Sequence, residues 1–346
     1  LESIQYWNNR DPVLALSSGV VIAMDPKSGE ILAMVSYPSY ENNRLTRIIP
    51  TYYYQQLIED PHLPLLNKAI SGEYPPGSVF KMATAIGILN EDVVTPEYQI
   101  KDPGEIQILE KYSQNDPGKL RRYVCYDENG HGMVDFLKGV MLSCDVYFYK
   151  VGGGYEDEVK KGLGIWRIGE YARALGYGTV TGVELNGEAD GLIPDPTYKR
   201  RVIGESWSTG DTYIATIGQG LVVSTPMQVL ISFVTLANDG KLLVPHLIKQ
   251  IRDPDGNVIY DAQPEVRWDI TVDPVITLYD ENSFATEEKI SVEPWVIAKV
   301  KEGMRLVVTE GTSSDYFQGF NIPSAGKTGT AEYCDDIARE KNRCEF

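Results

Sequence analysis

The sequence predicts an α+β fold in which strands from both ends of the chain form one antiparallel sheet and the segment between them is mainly helical. Three observations support this prediction. Apolar, strand-like runs form a hairpin over residues 19–37, helix signals fill residues 78–238, and strand-like runs return after residue 240. The length of 346 residues suggests about two domains, or one domain with a large insertion.

Composition and charge narrow the classes of function. Hydrophobic residues make up 42% of the chain and charged residues 23%, as in ordinary globular proteins. The formal net charge of −17 argues against a nucleic-acid partner, because phosphate contacts need clustered Lys and Arg side chains. No apolar run reaches the roughly 18 residues of a membrane span. The chain starts at Leu1 without a signal peptide, so we expect a fragment of a longer protein.

The first predicted element is the hairpin. Residues 20–24 and 31–35 are apolar runs, and Asp-Pro-Lys-Ser-Gly at 25–29 predicts the turn between them. Because both runs are almost continuously apolar, we expect a sheet that is covered on both faces.

The middle of the chain is rich in helix signals. Pro75-Pro76-Gly77 breaks the chain, and an apolar face with helical spacing follows from Ser78 to about Asn90. Residues 95–127 are polar and turn-rich, with strand fragments, so we expect an irregular insertion there. Further helices are predicted over residues 134–142, from residue 146 onward, and over residues 155–175.

The last third of the chain combines helices and strands. Thr225 and Pro226 predict a helix start, as N-cap and first-turn residue, and the helix should run to about Asn238. After it we expect a strand over residues 241–251, a helix over 294–309 and a small-residue strand over 324–331.

Ser78 and Lys81 are the first candidate site residues. On a helix, positions three apart lie on one face, and a serine hydroxyl needs an adjacent base to become a nucleophile. A neutral Lys can be that base, because burial and a second cation lower its pKa. The helix N-terminus also stabilises negative charge that develops near Ser78. The alternative is that Ser78 is only an N-cap and Lys81 a surface side chain.

A second candidate is Ser143-Cys144-Asp145, at a predicted turn between two helices. A hydroxyl at this place can relay a proton between two lysines. The alternative is that Ser143 or Asp145 only caps a helix.

The third candidate is Lys327-Thr328-Gly329-Thr330. A strand that carries Lys and Thr, with Gly leaving space, can hold an anionic substrate end, and its backbone N–H groups can form an oxyanion hole. A phosphate-binding loop is a competing interpretation of Gly326-Lys327-Thr328. It is disfavoured, because Asn321 stands where that motif needs Gly and the segment follows a helix rather than a strand.

The three candidates together are more specific than each alone. S-x-x-K, S-x-[ND] and K-T-G, in this order and widely spaced, are the signature of penicillin-recognising serine acyltransferases. On these motifs the sequence resembles the class B penicillin-binding proteins, specifically the elongation-type peptidoglycan transpeptidases. The resemblance spans roughly residues 19–332 and is carried further by residues 72–81, 131–135, 143–149, 181–194, 210–212, 217–220 and 325–332.

The resemblance implies a D,D-transpeptidase that uses no cofactor. Ser78 would attack the carbonyl between the last two D-alanines of a peptidoglycan stem peptide and release D-Ala. An amine of a neighbouring stem peptide would then resolve the acyl-enzyme and close a cross-link. β-Lactam antibiotics mimic the D-Ala-D-Ala end and would trap Ser78.

The resemblance also implies a role for each motif residue. Lys81 would be the general base, with Asp145 beside it, and Ser143 would bridge Lys81 and Lys327. Lys327 and Thr328 would bind the terminal carboxylate, with Gly329 leaving space. The N–H groups of Ser78 and Thr330 would form the oxyanion hole.

The implied architecture is one transpeptidase domain over residues 1–346. Residues 18–78 and 240–346 would form mainly a sheet subdomain, and residues 79–239 mainly a helical subdomain with the irregular insertion at 95–130. The implied location is the extracytoplasmic face of the bacterial cytoplasmic membrane, with the anchor outside this chain. A polytopic membrane glycosyltransferase is the implied protein partner.

Two features depart from the family pattern. Asp145 stands where Asn is usual; an ionised Asp only accepts hydrogen bonds and could hold Lys81 charged, against base catalysis. We interpret Asp145 as a trait of the elongation-type subgroup.

The second departure is at the C-terminus. The family's sheet continues after K-T-G with two more strands and a closing helix. Residues 333–346 cannot supply them, so we expect C-terminal strands to be missing and this chain alone to be unstable or inactive.

Several alternatives remain open from the sequence. A D,D-carboxypeptidase or β-lactamase would differ only in what resolves the acyl-enzyme, and a β-lactam sensor or inactive fragment would acylate once.

Some individual residues also have alternative interpretations. Glu184 resembles the hydrolytic Glu of class A β-lactamases, although we interpret it as loop structure. Cys125, Asp127 and His131 could contribute to a zinc site, or form only a structured loop. Cys334 and Cys344 could form a disulfide in an oxidising compartment, or remain free thiols.

Overall fold

The computed structural model describes residues 18–46, 48–110, 118–280 and 282–332. Within these ranges the chain combines helices with antiparallel strand pairs, so the predicted α+β class is confirmed. The strands are β1 (Gly19–Met24), β2 (Ile31–Tyr37), β3 (Ile100–Asp102), β4 (Glu105–Glu110), β5 (Lys119–Val124), β6 (Gly132–Val134), β7 (Lys241–Leu243), β8 (Gln250–Arg252), β9 (Val258–Asp261), β10 (Val266–Asp269), β11 (Ile276–Tyr279) and β12 (Ala285–Ile290). The helices are α1 (Asn42–Leu45), α2 (Thr51–Glu59), α3 (Lys68–Ser71), α4 (Lys81–Asn90), α5 (Phe136–Met141), α6 (Asp145–Gly153), α7 (Ile165–Ala174), α8 (Pro196–Tyr198), α9 (Thr209–Thr216), α10 (Pro226–Ala237) and α11 (Pro294–Thr309).

β1 and β2 form the predicted hairpin and pack on helices through one face. Val21 is opposite Val35 in the register, and both side chains stay mostly exposed, at 65% and 53%. Ile22 lies on the other face and packs against an apolar cluster that contains Ile70 of α3 and Ile231 of α10. Successive side chains of a strand point to opposite faces. The expectation of two covered faces is wrong for the described residues, because only the face that carries Ile22 packs against this cluster and the face of Val21 and Val35 is exposed.

The two halves of the chain meet, but the described residues do not form one continuous sheet. They form six two-stranded antiparallel sheets. A parallel bridge joins Glu30 to His246, and the N–H of Ile31 donates to the carbonyl of His246 at 2.9 Å. The strand expected over residues 241–251 is divided into β7 and β8. Pro245 lies between them, and proline has no N–H to donate to a ladder.

α4 lies at the centre of the larger apolar core. Every residue of α4 except Asn90 is buried. α7 packs against it at Gly87, where a Cβ would meet side-chain carbons of Leu163 at 2.5 Å and of Tyr171 at 2.8 Å. α11, which follows residue 240, packs on α4 and α5. This core is therefore shared by the sheet and helical subdomains that we propose.

The segment at residues 95–130 is more regular than the irregular insertion that we expected. β4 pairs with β5 from Glu105 opposite Val124 to Glu110 opposite Lys119, and β3 pairs with β6. The ring of Tyr123 packs edge-on against Tyr213 of α9, with ring centroids 5.0 Å apart. Cross-strand pairing and burial of one aromatic ring outweigh the weak local strand signal here.

The helix expected over residues 155–175 is shorter, and α7 occupies only its second half. Tyr155 and Val159 form a β-bridge instead. Gly164 precedes α7 with φ +80°, a conformation that α-helices do not contain. The apolar spacing alone did not reveal this break.

The later helices agree with their local signals. Thr225 caps α10 and forms a capping box with Gln228, as its position before Pro226 predicts. α11 has the predicted bounds, 294–309. Across the described ranges, no helix combines the length and apolarity that a membrane span requires.

Candidate active site

Ser78 lies in a 3₁₀ turn, Gly77–Phe80, that leads directly into α4. The helix predicted from Ser78 is therefore confirmed, with a tighter first turn. Gly77 has φ +60°, and a Cβ on it would meet the carbonyl oxygen of Thr330 at 2.3 Å. Its N–H donates to the carbonyl of Gly218 at 2.9 Å. Glycine is the residue that fits this position, and the turn presents Ser78 between two distant segments of the chain.

Lys81, one turn further along, is completely buried. Its Nζ donates to Oδ1 of Asp145 at 2.6 Å, to the carbonyl oxygen of Ser143 at 2.7 Å and to Oγ of Ser143 at 3.3 Å. The ring of Phe148 has its centroid 5.3 Å from Nζ. The alternative of a surface lysine is wrong, because Nζ lies in the interior among the partners that a buried ammonium requires.

Ser143 occupies a strained position that explains why its side chain points at Lys81. It has φ +55° and follows the end of α5. Its N–H donates to the carbonyl of Val140, and the N–H of Cys144 donates to that of Gly139. This is a Schellman motif with serine at the position that glycine usually takes. The left-handed conformation costs an L-residue about 1–2 kcal/mol, and the bonds to Lys81 help to hold it.

Asp145 is the first residue of α6, where the positive end of the helix dipole favours a carboxylate. Its Oδ1 contacts Lys81, and its Oδ2 accepts the N–H of Tyr126 at 3.2 Å. Sγ of Cys144 caps the helix by accepting the N–H of Tyr147 at 3.3 Å. The alternative that Ser143 or Asp145 only caps a helix is therefore wrong, because Cys144 is the N-cap of α6.

The KTGT segment, Lys327–Thr330, lies against the turn that carries Ser78. A Cβ on Gly329 would meet a methyl carbon of Val79 at 2.9 Å. Just before the segment, the N–H of Gly326 donates to the carbonyl of Met304 in α11 at 3.1 Å. The strand expected over residues 324–331 is wrong for the described part of the chain. A strand needs a neighbouring ladder, and this segment is held by α11 and the Gly77 turn instead.

Lys327 has a different environment from Lys81. Burial of its ammonium and the positive charge of Lys81 lower the pKa of Lys327 to about 6, although the carboxylate of Asp145 opposes the shift. Its Nζ donates to the carbonyl oxygen of Thr328 at 2.9 Å. Lys327 is therefore mainly neutral at pH 7 and able to accept a proton.

One cavity of about 1260 Å³ joins these segments. The predicted site residues that line it are Ser78, Ser143, Asp145, Thr328 and Thr330. Lys81 lies directly behind Ser143 and Asp145, to which its Nζ is bonded. The fold therefore brings the three sequence motifs, which are far apart in the chain, to a single space.

Other residues of the cavity were missed by reasoning from the sequence. They include Arg121, Tyr123, Tyr149, Trp207 and Thr312. Arg121 and Tyr123 come from β5, in the segment that we had expected to be irregular, and Thr312 follows the end of α11. Only the basic or aromatic character of the first four residues could have indicated them, and Thr312 had no such signal, since no local pattern relates any of them to Ser78.

A second polar group borders the cavity, which its member Cys125 lines, and could hold a metal ion. The ligand atoms of Asp102, Cys125, His131 and Cys144 all lie within 4.8 Å of one another. Oδ2 of Asp102 is 2.7 Å from Nδ1 of His131 and 3.1 Å from Sγ of Cys144. Thiolate, imidazole and carboxylate donors of this kind suit zinc. The group lies next to Asp145, because Cys144 directly precedes it in the chain.

The other sequence candidates have separate outcomes. Asp127 is not part of the cluster with Cys125 and His131, and accepts a backbone N–H of its own turn instead. The carboxylate of the cluster comes instead from Asp102 of β3. Local spacing could not predict this, because Asp102 lies more distant in the chain. Glu184 accepts the N–H of Leu247 at 2.6 Å and is not among the lining residues, which favours its interpretation as loop structure. Cys334 and Cys344 lie outside the described residues.

Residues 19–344 match the family model described as the penicillin binding protein transpeptidase domain. The match covers most of the chain, and it includes every motif residue around the cavity. The chain therefore belongs to the penicillin-binding protein transpeptidase domain family.

Curated relatives give the same assignment. The chain is 32% identical over 331 residues to the peptidoglycan D,D-transpeptidase MrdA of Acinetobacter baumannii, covering 92% of this chain and 42% of the relative. It is 34% identical over 316 residues to MrdA of Haemophilus influenzae, covering 91% and 43%. The chain thus spans less than half the length of these relatives.

Solved structures show the same fold. Penicillin-binding protein 2 of Pseudomonas aeruginosa in complex with WCK 5153 has a TM-score of 0.72 and 31% identity, covering 96% of this chain and 66% of that one. Penicillin-binding protein 2 of Helicobacter pylori in complex with MreC has a TM-score of 0.72 and 29% identity, covering 96% and 53%. The ceftriaxone acyl-enzyme of Mycobacterium tuberculosis penicillin-binding protein A has a TM-score of 0.67 and 26% identity, covering 92% and 62%.

Proposed function

We propose that this chain is the acyl-transfer domain of a peptidoglycan D,D-transpeptidase that cross-links stem peptides outside the bacterial cytoplasmic membrane. The observation that carries the proposal is the convergence of Ser78, the Lys81–Asp145 pair, Ser143 and Thr330 at one cavity. A nucleophile, a proton-transfer chain and a set of anion-binding groups are the parts that serine acyl transfer needs.

In the proposed reaction, Ser78 Oγ attacks the carbonyl carbon of the penultimate D-Ala. The C–N bond breaks, the terminal D-Ala leaves with a proton on its amine, and an ester to Ser78 remains. An amine of a second stem peptide then attacks the ester, the C–O bond breaks and the proton returns to Ser78. The N–H groups of Ser78 and Thr330 would hold the oxyanion in both steps, in keeping with the close approach of Thr330 to Gly77.

The proton of Ser78 needs an acceptor, and two lysines share this role in our proposal. Lys81 lies closest to Ser78 in the chain and is bonded to Ser143 Oγ. The pKa of Lys327 is lowered to about 6, so its neutral amine can accept a proton. Lys81 would first pass a proton through Ser143 to the neutral amine of Lys327, and the Lys81 amine would then take up the proton of Ser78. This relay answers the concern that Asp145 holds Lys81 charged, since the neutral amine of the pair is Lys327.

The substrate carboxylate would bind at Thr328, with Gly329 leaving room beside it. Thr328 lines the cavity together with Ser78. The ceftriaxone acyl-enzyme of the M. tuberculosis relative supports the proposal that β-lactam antibiotics acylate Ser78. The MreC complex of the H. pylori relative supports the proposal that the longer protein works in an envelope assembly, and we extend this to a polytopic membrane glycosyltransferase.

Intact-mass spectrometry after penicillin treatment tests the proposal on the longer protein that contains this chain, because we expect the chain alone to be unstable or inactive. We expect one added penicillin mass, located on the peptide that contains Ser78, and no addition in the Ser78→Ala variant. Ser71→Ala is the matched control, because Ser71 lies before the turn and bonds to the carbonyl of Gly187 outside the cavity. Acylation at any other residue would contradict the nucleophile assignment.

A kinetic measurement separates the proposal from its alternatives. A peptide that ends in D-Ala-D-Ala is mixed with the longer protein, with and without an acceptor amine. Faster turnover with the amine is expected for a transpeptidase. Turnover that water alone supports would indicate a carboxypeptidase, and a single acylation without turnover would indicate a sensor.

A further inference from the structure

Thr312 lies where two of the catalytic segments meet. Its Oγ1 is 2.8 Å from Oγ1 of Thr328, and either hydroxyl can be the donor. Thr312 also lines the cavity with Ser78, Ser143 and Thr328. It belongs to none of the three sequence motifs, so the role of its hydroxyl has to be argued from these contacts.

The backbone around Thr312 fixes the position of this hydroxyl. After α11 ends, the N–H of Gly311 donates to the carbonyl of Leu306 at 2.8 Å, and the N–H of Thr312 donates to that of Met141 at 3.4 Å. A Cβ on Gly311 would meet the carbonyl oxygen of Met141 at 2.4 Å, so glycine is needed for this approach. Met141 is the last residue of α5, two residues before Ser143. Thr312 therefore connects the turn of Ser143 to the KTGT segment.

The direction of the Thr312–Thr328 bond matters because a hydroxyl has one proton. If Thr328 donated to Thr312, it would present only lone pairs to the cavity, and these repel a carboxylate. If Thr312 donates to Thr328, the proton of Thr328 is left for the substrate. A carboxylate accepts hydrogen bonds and donates none, so it favours the second direction.

We propose that Thr312 is a positioning residue for substrate binding: it donates its proton to Thr328 Oγ1 and so directs the O–H of Thr328 at the carboxylate of the substrate or of a β-lactam. This inference rests on the proposed function and deepens it, because it assigns the orientation of the carboxylate-binding hydroxyl. It acts on binding of the anion, and the bond-making step at Ser78 does not depend on it.

Three variants test the inference. Thr312→Val keeps the shape and removes the donor, whereas Thr312→Ser keeps the hydroxyl. Thr309→Val is the matched control, since Thr309 lies three residues earlier at the end of α11 and bonds only to the carbonyl of Arg305, outside the cavity. All variants are made in the longer protein that contains this chain. The noncovalent dissociation constant and the limiting acylation rate for benzylpenicillin are measured separately by stopped-flow fluorescence.

We expect Thr312→Val to raise the dissociation constant about 10-fold, the order expected for one charge-assisted hydrogen bond. The limiting acylation rate should change by less than about 3-fold, and Thr312→Ser and Thr309→Val should resemble the parent chain. Thr328→Val combined with Thr312→Val should be no weaker than Thr328→Val alone, because the two act through one hydroxyl. The loss should disappear for the methyl ester of benzylpenicillin, which has no anionic carboxylate.

Two results would overturn the inference. One is a Thr312→Val variant that binds benzylpenicillin as the parent does. The other is a variant that weakens binding of the acid and of the ester equally, which would indicate a structural effect only. Failure of the proposed function looks different, because the parent chain itself would then show no acylation at Ser78.

Discussion

Lys81 and Lys327 belong to the same site but come from regions of the molecule that are built differently. Lys81 is fully buried in the helical core, with an ion pair to Asp145 and two bonds to Ser143. Lys327 is partly buried, in a segment that joins no strand ladder among the described residues, and donates to the carbonyl of Thr328. The same residue type therefore has two environments here, since Lys81 is held by a buried ion pair and Lys327 has a lowered pKa.

The difference shows that the region of Lys81 and the KTGT segment contribute differently to the stability of the fold and to the proposed acyl transfer. Around Lys81, the residues that carry chemistry also hold the core together. The KTGT segment contributes little to the core, because its residues are partly or fully exposed. Its side chains can therefore contact a substrate without loss of core packing. Changes in the two regions should therefore affect unfolding and acylation in different proportions.

The largest effect that we expect comes from Lys81→Met. Removing one partner of a buried ion pair leaves Asp145 uncompensated and should destabilise the chain by about 3–5 kcal/mol. Acylation by penicillin should be lost as well. Lys327→Met should reduce acylation at least ~100-fold, yet change the free energy of unfolding little, because Lys327 Nζ donates to the carbonyl oxygen of Thr328 and has no carboxylate partner among the described residues. Urea unfolding and acylation rates of both variants measure this contrast, and equal destabilisation would refute it.

Gly77→Ala tests the contact between the two regions. The added Cβ would meet the carbonyl of Thr330 at 2.3 Å, so the KTGT segment has to move away from Ser78. A displacement of about 1 Å in a catalytic geometry costs on the order of 100-fold in rate. Gly256→Ala is the control, since Gly256 also has positive φ but open space around it. If the two variants acylate equally, the contact does not position the site.

The pH dependence of acylation examines Lys327 without changing the fold. Lys327 has to be neutral to accept a proton, so the rate should rise with pH through a midpoint of about 6 and then level off. Asp145→Asn removes the charge that opposes the lowered pKa, and should move the midpoint to lower pH. Stopped-flow rates from pH 5 to 8 measure both profiles. A midpoint that moves upward in Asp145→Asn would contradict the relay.

The smallest effect should come from the scaffold behind both regions. Thr225→Ala removes the cap of α10 and should destabilise the chain by about 1 kcal/mol, with no change in the acylation rate under native conditions. Thr225→Ser restores the capping oxygen and should recover most of this loss. Thermal unfolding with a parallel acylation assay checks both parts, and a slowed acylation in Thr225→Ala would show that the scaffold and the site are coupled.

The parts of the fold that could be predicted from the sequence are those that a few neighbouring residues specify. The cap at Thr225, the bounds of α11 and the β1–β2 hairpin all follow from residues close together in the chain. Elements that depend on distant packing were predicted less well. Residues 155–164 have helical spacing but contain glycines, and the β4–β5 pair depends on the burial of Tyr123 against Tyr213.

The candidate site shows the same division. The motifs predicted that Ser78, Lys81, Ser143 and Lys327 form one site, because their types and order match a known chemistry. The sequence contained no sign that Ser143 takes a left-handed conformation or that the N–H of Tyr126 holds Asp145. It also suggested Asp127 as the partner of Cys125, where the fold supplies Asp102.

By itself, the sequence determined which residues can carry the chemistry and where the main helices begin, since side-chain type and capping are local properties. Only the tertiary structure decided which of these residues meet. Lys81 and Ser143 are 62 positions apart, and Gly77 contacts Thr330 across most of the chain. Such contacts depend on how buried faces pack, and no local propensity encodes them. The lowered pKa of Lys327 has the same origin, because its causes are burial and the charge of a lysine that packing brings near.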